Sequence, residues 1–170
     1  MGEAAAIMID SMTREDLDQV IAIEQAAFTM PWSRNLFQSE FRNEKVSLML
    51  VARHPDDLRT VVGYIVCWAV ADELHILDLA TEPSWRRTGV ARKLVLDAIR
   101  KGNERGARRT FLEVRASNGA ALVLYEGLGF IRSCVREGYY DMPVEDAVVM
   151  SLERDAMASL LSKPVEHRNI

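Results

Sequence analysis

Cysteine, histidine and long apolar runs are all scarce in this chain, and each shortage removes a class of chemistry. Only two cysteines occur among the 170 residues, Cys67 and Cys134, each inside a strand-like apolar run. Both read as buried thiols of a reducing compartment. Neither has an evident histidine partner, which argues against covalent cysteine catalysis. The three histidines, His54, His75 and His167, are scattered without metal-ligand spacing, so no metal is expected. No apolar stretch approaches the ~20 residues of a membrane span. The opening MGEAAAIMID has neither a basic start nor a long apolar core. No secretory signal is read, and a cytoplasmic location without membrane contact is expected. Gly-x-x-x-x-Gly-Lys-Ser/Thr and Gly-x-Gly-x-x-Gly are both absent, which removes the P-loop and the dinucleotide fingerprint. Nor is there an excess of positive charge, the formal net charge being −4. Direct nucleic-acid binding by bulk charge is not expected, and a basic partner is the better electrostatic match.

What is present is a globular composition, 49% hydrophobic and 27% charged, of a length that suits one compact domain. The domain is read over 1–155, with a tail over 156–170 that is a helical turn or disordered. IMIDSM reads as a short strand. A helix follows in TREDLDQVIAIEQAAF, with Thr13 and Asp16 at capping-box spacing. TMPW breaks it, and Ser33 caps a second helix. SLMLVAR, TVVGYIVCWAVA and ELHILDLAT read as strands. From Val90 to about Arg105 an apolar stripe of Val90, Ala91, Leu94, Val95, Ala98 and Ile99 marks a long helix. RRTFLEVRA is a strand, and NGAALVLYEGLGF a short helix opened by Asn118. IRSCVREGYY and EDAVVMSLER are two more strands. The unit from Leu74 to Ala116 is strand, helix, strand, long enough for a crossover between parallel strands. The other connections are short and imply antiparallel neighbours. The fold class is therefore α/β (α+β): a mixed, mostly antiparallel sheet with a central parallel pair, flanked by helices.

The join EPSWRRTGVARKL places Arg86, Arg87, Thr88, Gly89 and Arg92 at the opening of the long helix. A helix start presents unpaired N–H groups and the positive end of the dipole. Glycine lets a ligand approach the backbone. Added guanidinium charge makes an anion site, most naturally for a phosphate or pyrophosphate; a solvated basic turn is the competing reading. Two carboxylates lie mid-strand. Alternation puts Glu113 on one face with Phe111 and Arg115, with Leu112 and Val114 opposite. A crossover strand should be buried on both faces, where a carboxylate is costly unless paired or employed. It is either a salt-bridge partner of Arg115 or a neighbour, or a proton acceptor. Asp78, in HILDLAT, is best read as a structural hydrogen-bonding group.

RRTGVA fits Arg/Gln-x-x-Gly-x-Gly/Ala, the acetyl-coenzyme A pyrophosphate loop of the GNAT acetyltransferase superfamily. LEVRASNGAALVLYEGLGF, from Leu112 to Phe130, resembles the corresponding segment of RimI-type N-terminal protein acetyltransferases almost residue for residue. FTMPWS, from Phe28 to Ser33, and REGYY, from Arg136 to Tyr140, resemble further segments of that family. The likeness spans roughly Ile9 to Leu152. Ala91 stands where many relatives carry glycine, which the pattern permits.

The resemblance implies a GNAT fold and transfer of acetyl from acetyl-coenzyme A to the α-amine of a protein. The N-terminal alanine of the eighteenth small-subunit ribosomal protein is the implied acceptor. It implies that Leu79, Ala80 and Thr81 pair with the pantetheine arm and that Arg86, Arg87, Thr88, Gly89, Val90, Ala91 and Arg92 hold the pyrophosphate. Asn118, a helix cap on its own terms, is implied to contact the cofactor as well. Glu113 is implied to be the general base, directly or through a water. Tyr125, otherwise an ordinary core tyrosine, is the implied proton donor to the departing thiolate, and a backbone N–H near Leu79 to Thr81 the oxyanion donor. Trp32, Tyr139 and Tyr140 are candidates for the peptide groove, against ordinary loop packing. An α-amine, with pKa ~7.7–8.0, is easier to deprotonate than a lysine at ~10.4. Two alternatives stay open: a GNAT enzyme for a small amine or a lysine side chain, and a non-catalytic coenzyme A-binding module.

Overall fold

The computed structural model describes residues 6–164. Residues 1–5, on which part of the secretory-signal reading rests, and 165–170, with His167, lie outside the described residues. Seven strands form one sheet: β1 Met8–Ser11, β2 Ser47–His54, β3 Asp57–Val70, β4 Glu73–Thr81, β5 Arg109–Arg115, β6 Ile131–Asp141 and β7 Val144–Leu152. Their order is β1-β2-β3-β4-β5-β7-β6. Only β4 and β5 run parallel; every other neighbour is antiparallel. The helices are α1 Leu17–Ala27, α2 Arg34–Arg42, α3 Val90–Glu104, α4 Gly119–Gly127 and α5 Arg154–Ser162. This is the expected mixed sheet, its parallel pair joined through α3.

Alternation sorts the strand side chains into two cores. Leu50 and Ile65 join Leu94, Val95 and Ile99 of α3 on one face, together with Leu122 of α4 and Met157 of α5. Val51, Tyr64 and Val66 join Val20 and Ile23 of α1 and Phe37 of α2 on the other. The segment past Asp155 is therefore helical through Ser162, because Met157 and Leu160 give it an apolar face to bury. Gly63 on β3 is what lets the start of α3 sit so close to the sheet. A Cβ there would meet Val90 Cγ1 at 2.8 Å and the Ala80 carbonyl oxygen at 3.1 Å.

The helix starts follow their caps. Asp16 accepts hydrogen bonds from the Thr13 N–H at 2.8 Å and the Thr13 hydroxyl at 3.0 Å ahead of α1. Ser33 Oγ accepts from the Leu36 N–H at the start of α2, as expected of a serine N-cap.

One irregularity shapes the middle of the molecule. The β3–β4 register steps from Val66↔Asp78 to Cys67↔Ile76, leaving Leu77 as an extra residue, a β-bulge. Bulges bend the strand that carries them. Pairing of β4 with β5 ends at the same level, at Ile76↔Leu112. Beyond it the two strands part, and Leu79 and Glu113 border one cavity between them.

Two expectations are corrected. Strand β5 is not buried on both faces: Leu112 and Val114 are buried, whereas Phe111, Glu113 and Arg115 are half-buried. The parting of β4 from β5 opens that face at Glu113 and Arg115, whereas Phe111 lies in the paired stretch beside a part-exposed His75. Cys67 is buried, but Cys134 is exposed, because β6 is the outermost strand and pairs with β7 alone.

Candidate active site

The loop ahead of α3 is built for an anion. Gly89 is the N-cap residue, with φ +89°, and no side chain caps the helix. That φ is left-handed, where a side chain is strained, although a Cβ would meet nothing within 4 Å. Arg87 is left-handed too, at φ +61°. No acidic residue occupies the first turn of α3. The helix start thus keeps free N–H groups, an open approach and an uncompensated positive dipole.

These residues border a cavity of about 630 Å³. Leu79, Ala80 and Thr81 form its β4 wall, and Arg86, Arg87, Gly89, Val90, Ala91 and Arg92 its anion end. Thr88 does not border it; its hydroxyl is turned back to donate to the Trp85 carbonyl at 2.6 Å. Asn118 lines the α4 side while its side chain accepts the Ala121 N–H at 3.1 Å, so capping leaves it at the cavity edge. The set suits a pyrophosphate followed by an extended amide chain, since β4 presents backbone groups that β5 no longer occupies. Reversing the charge of Arg87 to Glu is expected to raise the KM for a pyrophosphate-bearing co-substrate at least tenfold with little change in kcat. Added salt should weaken the wild type in the same sense; unchanged affinity would remove the loop from the site.

A second cavity, of about 750 Å³, adjoins the first. The two share Ala27, Phe28, Leu79, Asn118 and Ala121. They form one continuous passage, with Leu79 among the residues where they meet. The second cavity gathers Trp32, Glu113, Tyr125, Tyr139 and Tyr140, which are far apart in sequence. Trp32 leans on Phe37 with ring centroids 5.4 Å apart. Tyr139 and Tyr140 meet edge to face at 5.2 Å.

Glu113 is 3.1 Å from the Arg136 guanidinium. The partner is Arg136, not Arg115: Arg115 turns to Glu145 at 3.3 Å and lies over the Tyr140 ring at 4.1 Å. The Glu113 carboxylate, first by drawing the hydroxyl hydrogen towards itself, lifts the Tyr139 phenol above its ordinary range. Tyr125 is buried against Phe130, 5.4 Å between ring centroids. Burial is the main reason its hydroxyl sits above the usual tyrosine range, so it is neutral and holds a proton at any working pH. A carboxylate and a buried phenol thus line the same cavity. Among the described residues no cluster of metal-ligating side chains occurs, and no helix is long and apolar enough to cross a membrane.

Two contributors escaped the sequence reading. Gly63 carries no local signal, being one glycine inside an apolar strand. Glu24 is not singled out there, although it follows Val20 by four residues on the apolar face of α1; it is 1% exposed and borders the second cavity.

Comparison with known proteins agrees with this architecture. Residues 17–130 match the acetyltransferase (GNAT) family, whose members use acetyl-coenzyme A. The [ribosomal protein bS18]-alanine N-acetyltransferase of Escherichia coli (strain K12) is 34% identical over 146 residues, covering 85% of this chain and 95% of the relative. The crystal structure of the ribosomal-protein-S18-alanine N-acetyltransferase from Escherichia coli superposes with a TM-score of 0.78 at 31% identity, covering 97% of this chain and 100% of that one. The NatC complex bound to Gag peptide and CoA gives a TM-score of 0.77 at 28% identity, over 86% of this chain and 98% of its own. The chain belongs to the GNAT acetyltransferase family, in the branch of the ribosomal-protein-alanine N-acetyltransferases.

Proposed function

We propose that this enzyme transfers acetyl from acetyl-coenzyme A to the N-terminal α-amine of a protein, the N-terminal alanine of ribosomal protein bS18 being the first candidate. The observation that carries this reading is the passage: an anion loop and open strand edge on one side, a carboxylate with aromatic walls on the other, meeting at Leu79. Relatives named for that acceptor, which this chain covers almost end to end, support it. The co-substrate supplies the activated acyl group as a thioester. Arg86, Arg87, Arg92 and the start of α3 hold its pyrophosphate, and the Leu79–Thr81 backbone holds the extended arm. Asn118 steadies that arm from α4. The acceptor amine approaches from the second cavity, between Trp32 and the Tyr139–Tyr140 pair.

Glu113 takes the proton that the amine loses. Its pairing with Arg136 is exposed enough to open when an acceptor enters, the two side chains being 28% and 55% accessible. A backbone N–H near Leu79 faces the developing oxyanion. Tyr125, neutral and buried, returns a proton to the sulfur. At neutral pH roughly a tenth or more of α-amines are already neutral, against less than about a thousandth of lysines. A carboxylate acceptor suits the first better.

The test compares two peptides at neutral pH. One begins with a free alanine; the other has that amine blocked and an internal lysine available. The free peptide should give the higher kcat/KM, and cutting it to a single amino acid should lose most of that rate, because remote binding energy is lost. Equal rates on the blocked lysine peptide, or preference for a small free amine, would discard the N-terminal acceptor and leave acetyl transfer standing.

A further inference from the structure

Two carboxylates of the acceptor cavity have no part in the reaction above. Glu24 on α1 and Asp78 at the β4 bulge both border it. Tyr64, on β3 and fully buried, lies between them. Its hydroxyl donates to Glu24 Oε2 and lies 3.0 Å from Asp78 Oδ2. A hydroxyl has one hydrogen, and here it faces two carboxylate oxygens. The second contact is satisfied only if a carboxyl proton points back at the tyrosine oxygen. Glu24 also accepts the Trp32 N–H at 2.7 Å and Asp78 has the Leu79 N–H as its further donor, so the count requires one proton between the two acids. Burial, and then the charge of Glu24, push Asp78 up to about 8, in agreement with that count. The pair holds one proton and one negative charge.

That charge has no cation beside it among the described residues. Arg115 is spent on Glu145, and Arg136 on Glu113. Elsewhere the fold neutralises a buried acid directly, as Arg53 does Asp16 at 2.8 Å. Glu40 is buried without a cation too, but it accepts the Ser47 hydroxyl and the Trp68 indole N–H, and borders neither cavity. The Glu24–Asp78 pair differs in facing a cavity wide enough for a ligand. It also lies beside Leu79, where the two cavities meet. An unpaired buried charge is costly, and a cation arriving from the cavity removes that cost.

We propose that the Glu24–Tyr64–Asp78 cluster is the amine-recognition subsite, its single negative charge receiving the acceptor's ammonium beside Leu79 before Glu113 takes the proton. This rests on the acetyl-transfer reading but not on the acceptor being a protein. Glu24 and Asp78 face the amine; Tyr64 acts through them as a positioning residue.

The experiment measures binding, with coenzyme A present so that no reaction occurs. One probe pair is a hexapeptide beginning with free alanine and the same peptide with propionyl in place of that alanine, identical but for the amine. The other pair is n-butylamine and n-butanol. The wild type should prefer the amine of each pair at least tenfold. The Glu24→Gln/Asp78→Asn double variant, which leaves the cluster no carboxylate, should bring that ratio to within about twofold of unity. Either single change leaves one carboxylate to carry the charge and should keep the amine preferred, and Glu113→Gln should leave the ratio near the wild-type value. In turnover, the double variant and Tyr64→Phe should raise the acceptor KM more than they lower kcat. Amine selectivity retained in the double variant overturns the proposal, as does its loss in Glu113→Gln alone. If neither peptide binds while butylamine selectivity is lost in the double variant, the subsite stands and the protein N-terminus reading fails.

Discussion

Replacing Glu113 by Gln should lower kcat by roughly 10²–10⁴, as should replacing Tyr125 by Phe, each with little change in the KM for acetyl-coenzyme A. Both substitutions keep shape, and neither residue borders the anion end of the first cavity. The competing account of Glu113 is the 3.1 Å ion pair with Arg136. Its Arg136 end is 55% accessible, and pairs open to solvent contribute about 0–1 kcal/mol, too little for its loss to unfold the protein. Arg136→Gln is therefore the control. If Glu113 is only a partner for Arg136, the two variants should behave alike and stay active. If it is the base, Glu113→Gln should lose the acidic limb of the pH–rate profile while Arg136→Gln keeps it. An intact acidic limb in Glu113→Gln would return the residue to a structural role. For Tyr125→Phe the loss should be smaller with an acyl donor whose thiol is more acidic, because a better leaving group depends less on a proton. A loss that does not vary with the donor would count against Tyr125 as the acid.

Arg53→Ala should destabilise the protein by about 3 kcal/mol, a fall in Tm of roughly 6–12 °C for a chain of this size. Arg53 meets Asp16 through two parallel bonds, 2.8 and 3.1 Å, with 11% and 7% of the side chains accessible. Removing the guanidinium leaves a carboxylate buried beneath β1 without its counterion. Asp10, the other partner of Arg53, is half exposed at 3.4 Å, so the lower end of the buried-pair range is expected. Burial pushes Asp16 upward, but the Arg53 bonds, with those from Thr13, hold it below the ordinary carboxylate value. Its stabilising contribution is thus complete above the unfolded value and lost as pH falls through the folded one. Arg53→Ala should show a shallower loss of stability on acidification than the wild type. Equal Tm values near neutrality, or parallel acid limbs, would show that the pair contributes nothing net.

Local order was legible along the chain. The apolar stripe of α3, the Ser33 and Asn118 caps and the strand–helix–strand unit all depend on neighbours within four residues, or on strand alternation. The arginines and glycine at the α3 start could be read as an anion loop for the same reason, because a helix terminus and a left-handed glycine are properties of a short segment. Glu113 and Asp78 stood out as carboxylates within apolar strands. Their partners did not. Arg115 is two residues from Glu113 on the same face, yet Glu145 of the next strand claims it, and Arg136 reaches Glu113 from the sheet edge. Glu24 lies 40 residues from Tyr64, and Tyr64 lies 14 from Asp78, so only the register of β3 with β4 and the seating of α1 bring them together. The Leu77 bulge has no signature in HILDLAT, since a bulge belongs to a pair of strands and not to one. It ends the β4–β5 pairing at Ile76↔Leu112 and so opens the passage. The sequence by itself determined which segments form helices and strands and where an anion could rest. Tertiary structure decided which charges are neutralised and where the two cavities meet, because both depend on pairings between residues distant along the chain.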